Sequence, residues 1–190
     1  LGWASGFRLY AVVFLVGMMG VLGWMPLPPG LVMLQHPLVL MVSGFMLMVE
    51  FFADKVPWVD SAWDAIHAFI RVPAGAALAY GVFGADNATM AVVAGLLGGS
   101  LSATALATKM TTRAAVNTSP EPFSNWGLSF FEDGLVVAVV WLATQHPVAF
   151  GIALVVMVAV SVLLLVVLFK FLRAVVRRLS SFFSGSAKVA

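Results

Sequence analysis

Between Val49 and Ala74 the chain sets Glu50, Asp54, Lys55, Asp60, Asp64, His67 and Arg71 into surroundings that are otherwise almost continuously apolar. Charged side chains beside lipid are costly. Those that occur in membrane proteins face a bundle interior or a water-filled cavity, and they mark function. This stretch therefore fixes both the setting and the place where chemistry is expected. A soluble domain carries about a quarter of its residues as Asp, Glu, Lys and Arg. Here they make up 9%, against 62% hydrophobic residues, so the chain cannot cover itself with water-compatible groups.

Runs at 10–27, 38–53, 88–108 and 147–169 are long enough, or nearly so, to cross a hydrocarbon core of about 30 Å. Two more, 65–84 and 126–145, cross only by carrying polar groups into the bundle. The expected fold is all-α and polytopic, with about six transmembrane helices, some of them broken. No period-two alternation points to a barrel. The domain expected is a single membrane unit, 1–172, followed by a basic, amphipathic and flexible tail, 173–190. There is no cysteine, which removes disulfides, thiol nucleophiles and thiolate metal sites. Residues 8–27 imitate a signal peptide but lack a small-residue cleavage site, so a first membrane helix is expected there.

Charge placement gives an orientation. With the N-terminus inside, Arg8, Lys55, Lys109, Arg113, Lys170, Arg173, Arg177, Arg178 and Lys188 all fall on inner segments, and Arg71 on the inner part of span three. The outer loops, about 27–37, 85–88 and 145–147, have no Lys or Arg. Positive loops stay cytoplasmic, so both termini are expected there. The net charge of +2 comes mostly from the tail, and no nucleic-acid partner is expected.

Along the chain, Ala4, Ser5 and Gly6 lead into span one as a close-packing or irregular start. Beside them Arg8 either snorkels to inner headgroups or reaches the polar site. Gly17, Gly20 and Gly23 favour close helix contact. The three prolines of residues 25–30 predict a rigid outer turn. Glu50 and Asp54 share one face at the end of span two. Met41, Met46 and Met48 read as packing. Pro57 breaks the chain. Asp60, Asp64, His67 and Arg71 then fall at spacings of four, three and four, one stripe of a helix. A structural alternative makes Asp60 or Ser61 a helix cap, Ser61 with Asp64 resembling a capping box, and leaves Asp64–His67 and His67–Arg71 as ordinary helix-face pairs. Pro73 predicts a kink.

Asp86 is the one charge placed outside, and Asn87 heads a glycosylation-like triplet too tight against the membrane to be used. Gly95, Gly99, Ala103 and Ala107 form a small-residue stripe, and Ser100, Ser102, Thr104 and Thr108 offer hydrogen bonds. Pro120 and Pro122 interrupt a second polar stretch, after which Asn125, Ser129, Glu132 and Asp133 follow helical spacing. Two adjacent carboxylates at membrane depth imply that one is protonated or that both meet a cation. Span six reads as a lipid-facing anchor, the tail as a headgroup-bound amphipathic segment. Gln-His-Pro occurs at 35–37 and again at 145–147. An inverted duplication, 1–84 against 85–172, is conceivable from the two polar stretches alone.

Residues 4–10, 49–76 and 112–133 together resemble a bacterial integral membrane family, domain of unknown function 4126. The resemblance covers roughly 1–170. It implies a bacterial inner (cytoplasmic) membrane protein and carries no activity to transfer.

Three functions compete. The first is a small transporter or channel whose site opens to the cytoplasmic side, lined by Arg8, Glu50, Asp54, Asp60, Asp64, His67, Arg71, Arg113, Asn125, Ser129, Glu132 and Asp133. Its substrate is a cation or proton, or an anionic lipid or phosphate held by the arginines. The second is an intramembrane enzyme acting on a lipid phosphate. Glu50, Asp54, Asp60 and Asp64 would hold a divalent or monovalent cation and His67 would act as base. The third is a structural subunit whose polar cluster is internal glue. A homo-oligomer is compatible with all three.

Overall fold

The computed structural model describes residues 1–84, 87–118 and 122–186. Six α-helices follow in order: α1 Gly2–Val21, α2 Pro37–Ala53, α3 Val59–Phe83, α4 Ala88–Val116, α5 Pro122–Gln145 and α6 Pro147–Ser186. A 3-10 helix, Pro29–Gln35, precedes α2 and meets it at a 70° bend. Among the described residues five helices are long and apolar enough to span a membrane, six if the bent pair is counted as one span. No strand occurs among the described residues. The architecture is the all-α, polytopic one that the apolar runs predict.

Both Gln-His-Pro copies turn out to be helix starts. Pro37 and Pro147 open α2 and α6, where a proline loses no intrahelical hydrogen bond. His36 Nδ1 also accepts from the Leu38 N–H, 3.2 Å away. Asn87 caps α4 by accepting from the Met90 N–H at 3.0 Å. Pro57 separates α2 from α3 as expected, and Trp58 takes a left-handed φ of 71° at the turn.

α1 departs from expectation. It starts at Gly2, and Arg8 inside it has non-helical backbone angles, φ −145° and ψ 83°. The contacts on either side show where the two arms lead. Gly2 lies against Gly98, Gly6 against Ser102 and Leu106, and the Phe7 carbonyl reaches Lys109. The first arm therefore runs along α4 toward its C-terminal end. Beyond Arg8 the direction reverses: Phe14 meets Gly44, and Gly17 meets Leu34 and Leu40 near the opposite end of α2. Residues 2–7 are thus not a lead-in at the inner face. They form an arm inside the bundle, and Leu1 borders the same small cavity as Ala79, Gly98 and Val139. Low side-chain volume at Gly2, Ala4, Ser5 and Gly6 looks like weak hydropathy in sequence. In three dimensions it is what lets this arm press on α3 and α4.

The core is built around α1. Trp3, Phe7, Val12 and Val16 pack with Leu78, Ala105, Val136 and Val140 from α3, α4 and α5. α3 and α4 approach closely through Gly75, Gly98 and Ala79, where an added Cβ on Gly98 would collide with Ala79. The buried face of α4 is therefore Ala91, Gly98, Ser102 and Ala105, a register different from the predicted stripe. Ala103 of that stripe is exposed. Gly17 and Gly20 sit in tight contacts as expected, but Gly23 has φ +71° and open space around it. It is there for the turn. Pro73 lies inside α3, which continues through it without a break. α6 is one helix across residue 172, so the expected boundary of the tail is not a break in secondary structure. Its face is largely uncovered apart from Ser161, as an anchor beside lipid requires. Asp86, Pro120 and Lys188 lie outside the described residues.

Candidate functional site: a buried ion-pair network

The last turn of α2 carries Glu50 and, just past it, Asp54. α3 carries Asp60, Asp64 and Arg71 on one face. α4 runs two turns beyond the end that hydropathy predicts and brings in Lys109, Arg113 and, at its cap, Asn117. α5 supplies Asn125, Ser129, Glu132 and Asp133, and the break in α1 supplies Arg8. These side chains converge. Arg8, Arg71, Lys109 and Arg113 are all fully buried, as are Glu50, Asp54, Asp60 and Asp64.

Lys109 is the hub. Its Nζ lies 3.1 Å from Asp54 Oδ2, 3.1 Å from Asp64 Oδ1, and 3.8 Å from both Glu50 Oε1 and Glu132 Oε2. It also donates to the Phe7 carbonyl at 3.3 Å, at the end of the first arm of α1. Arg71 bridges Asp64, at 2.6 Å, and Glu50. Arg113 donates to Glu132 at 2.7 Å and to the Asp54 carbonyl at 2.8 Å. Arg8 reaches Asp54 Oδ2 at 3.0 Å and the Ser129 hydroxyl at 2.9 Å. Its Nε also lies 2.9 Å from Asp133 Oδ1, within ion-pair reach but without hydrogen-bond alignment.

Asp54 Oδ2 therefore meets three cations, Arg8, Lys109 and Arg113. Burial pushes the Asp54 carboxyl up, but Lys109, Arg8 and Arg113 outweigh burial and hold it below the usual carboxylate range. Asp60 closes the end of the network beside the C-terminus of α4: Asn117 Nδ2 donates to it at 3.1 Å, and Asn125 Nδ2 donates to Asn117 Oδ1 at 2.8 Å.

The two acids that adjoin in sequence both meet guanidinium groups, Glu132 with Arg113 and Asp133 with Arg8. Arg8 does not snorkel; it sits at the centre. The capping-box alternative fails, because Ser61 is already inside α3 and Asp64 turns to Arg71 and Lys109. His67 shares the stripe but stands outside the network. Its Nδ1 is 2.8 Å from the Trp63 carbonyl and its ring stacks on Trp63 at 3.9 Å. Among the described residues no three His, Asp or Glu side chains are grouped as metal ligands. The four acids expected to hold a cation meet Lys109 and the arginines, with Glu50 Oε2 and Asp64 Oδ2 left without a hydrogen-bond partner among the described residues.

Two features were missed in sequence, Lys109 and Asn117. They flank Arg113 at spacings of four, 109, 113 and 117, which continues the face of α4 past its apolar part. That periodicity was the available signal.

The family described as Domain of unknown function (DUF4126) matches residues 1–167. The chain belongs to this family. The match spans every residue of the network, so the ion pairs lie wholly within the family domain. No curated protein and no solved structure matches the chain.

Proposed function

We propose that this DUF4126 chain is a small proton-coupled transporter whose buried network faces the cytoplasmic side and binds protons or a cation in exchange. The charge balance carries this reading. Six carboxylates, Glu50, Asp54, Asp60, Asp64, Glu132 and Asp133, meet four buried cations, and Lys55 adds a fifth positive charge acting on Asp133, so acids outnumber bases by one when all are ionised. Uncompensated charge is expensive away from water. Bound protons or a bound cation supply the balance. Two buried oxygens, Glu50 Oε2 and Asp64 Oδ2, have no hydrogen-bond partner among the described residues and offer places for them. The broken α1 adds a helix-end carbonyl at Lys109, an arrangement that secondary transporters use around ions. The same surplus disfavours an anionic lipid or phosphate as cargo.

The test is flux. Protein reconstituted in liposomes under an imposed pH gradient, with a pH dye inside, should move protons faster than empty liposomes. Glu132→Gln should remove most of that rate. Rates equal to empty liposomes, with or without added alkali-metal cation, overturn the proposal. The complete burial of the four cations favours internal glue as the second reading. Glu132→Gln would then lower thermal stability of a protein that never moved protons.

A further inference from the structure

A cavity of about 290 Å³ lies beside the network, between α6 and the faces of α1, α4 and α5. Its walls are apolar, with the rings of Trp3, Phe7 and Phe131 and the side chain of Met157 among them. Two ionisable groups border it, Lys109 and Glu132, and they present themselves differently. The Lys109 side chain is fully covered, and its ammonium is turned to Asp54, Asp64 and the Phe7 carbonyl. Glu132 keeps 2% of its side chain uncovered. Its Oε2 binds Arg113, and no hydrogen bond among the described residues falls on Oε1. Of the two groups, Glu132 is the one that keeps any uncovered side-chain surface, and it belongs to a network in which acids outnumber bases.

From this charge complementarity we infer that the cavity binds a lipophilic organic cation, with its positive head at Glu132 and its apolar part among the rings. Aromatic faces near a cation add attraction when water is excluded. Trp3 and Phe7 already stand as a tilted pair 4.7 Å apart on the wall. The volume is at the low end for ligand pockets, which suits one short chain or one ring. As a claim about cargo, this rests on the proton-coupled reading: cation and protons would compete for the same surplus negative charge. A lipid acyl chain or an anionic amphiphile is the contrasting occupant.

Equilibrium binding to the full chain in lipid nanodiscs separates them, using hexyltrimethylammonium, 1-hexanol and hexanesulfonate as probes. The expected result is saturable, stoichiometric binding of the ammonium, at least about tenfold tighter than the alcohol, and no binding of the sulfonate. Glu132→Gln should weaken the ammonium by about tenfold or more and leave the alcohol unchanged. Val160→Trp, which fills the cavity wall without touching an ion pair, should abolish binding and keeps the test valid if Glu132→Gln fails to fold. Equal binding of alcohol and ammonium, tighter binding of the sulfonate, or binding unaffected by Val160→Trp overturns the inference. Proton flux without ammonium binding sinks this inference alone. Ammonium binding without flux supports it as a binding site and sinks transport.

Discussion

An ammonium group sealed from water has to be held by carboxylates, and Lys109 has four within 3.8 Å. Removing it leaves Asp54 and Asp64 facing each other's charge with only the arginines to compensate. Breaking a buried pair costs about 3–5 kcal/mol. Lys109→Met should therefore lower the thermal unfolding midpoint in detergent far more than Lys55→Met, since the Lys55 ammonium sits over the Phe51 ring and donates to the Phe51 carbonyl at 3.1 Å, outside the sealed cluster. An unchanged midpoint for Lys109→Met would mean the network is not a stabilising unit. Asp60, Asp64 and Arg71 were legible in sequence because they share one helix and its period is short-range information. Lys109 was not, because hydropathy falls away at 108 and the polar residues after it look like loop. Only the fold turns that end of α4 inward.

At the scale of elements, the approach of α3 to α4 decides whether the acids of one can reach the cations of the other. Ser102 Oγ donates to the Arg71 carbonyl at 3.0 Å, which requires the backbones to be close. Gly98→Leu would place a side chain where Ala79 and the Gly75 carbonyl already stand. Overpacking of this kind costs about 1–3 kcal/mol. The expected outcome is a lower unfolding midpoint for Gly98→Leu, while Gly127→Leu, with open space around it, changes nothing. The number and order of helices could be read directly from apolar runs and helix-starting prolines. The reversal at Arg8 could not. A run of Gly, Ala and Ser has the same signature whether it trails in solvent or fills a tight seam, and which one it does depends on residues nearly a hundred positions away.

For the whole molecule, the bias of Lys and Arg predicts that the Asp54–Trp58 turn faces the cytoplasm and the Leu22–Pro28 connection faces out. A chain without cysteine is suited to checking this. Trp24→Cys, exposed in the outer connection, should react with a membrane-impermeant thiol reagent added to intact cells, and Val56→Cys should react only after lysis. The opposite pattern would invert the topology and move the network to the far side. Overall charge sign and span count are whole-chain sums, so they survive errors in any one element. That is why the fold class was readable while the centre of the site was only partly so.

Of the six acids, Asp133 alone has a substantially uncovered side chain, 27% of it, while Arg8 ties it to the sealed remainder. Asp133 is therefore the rim of the assembly, the acid that an outside agent can touch without first opening the bundle.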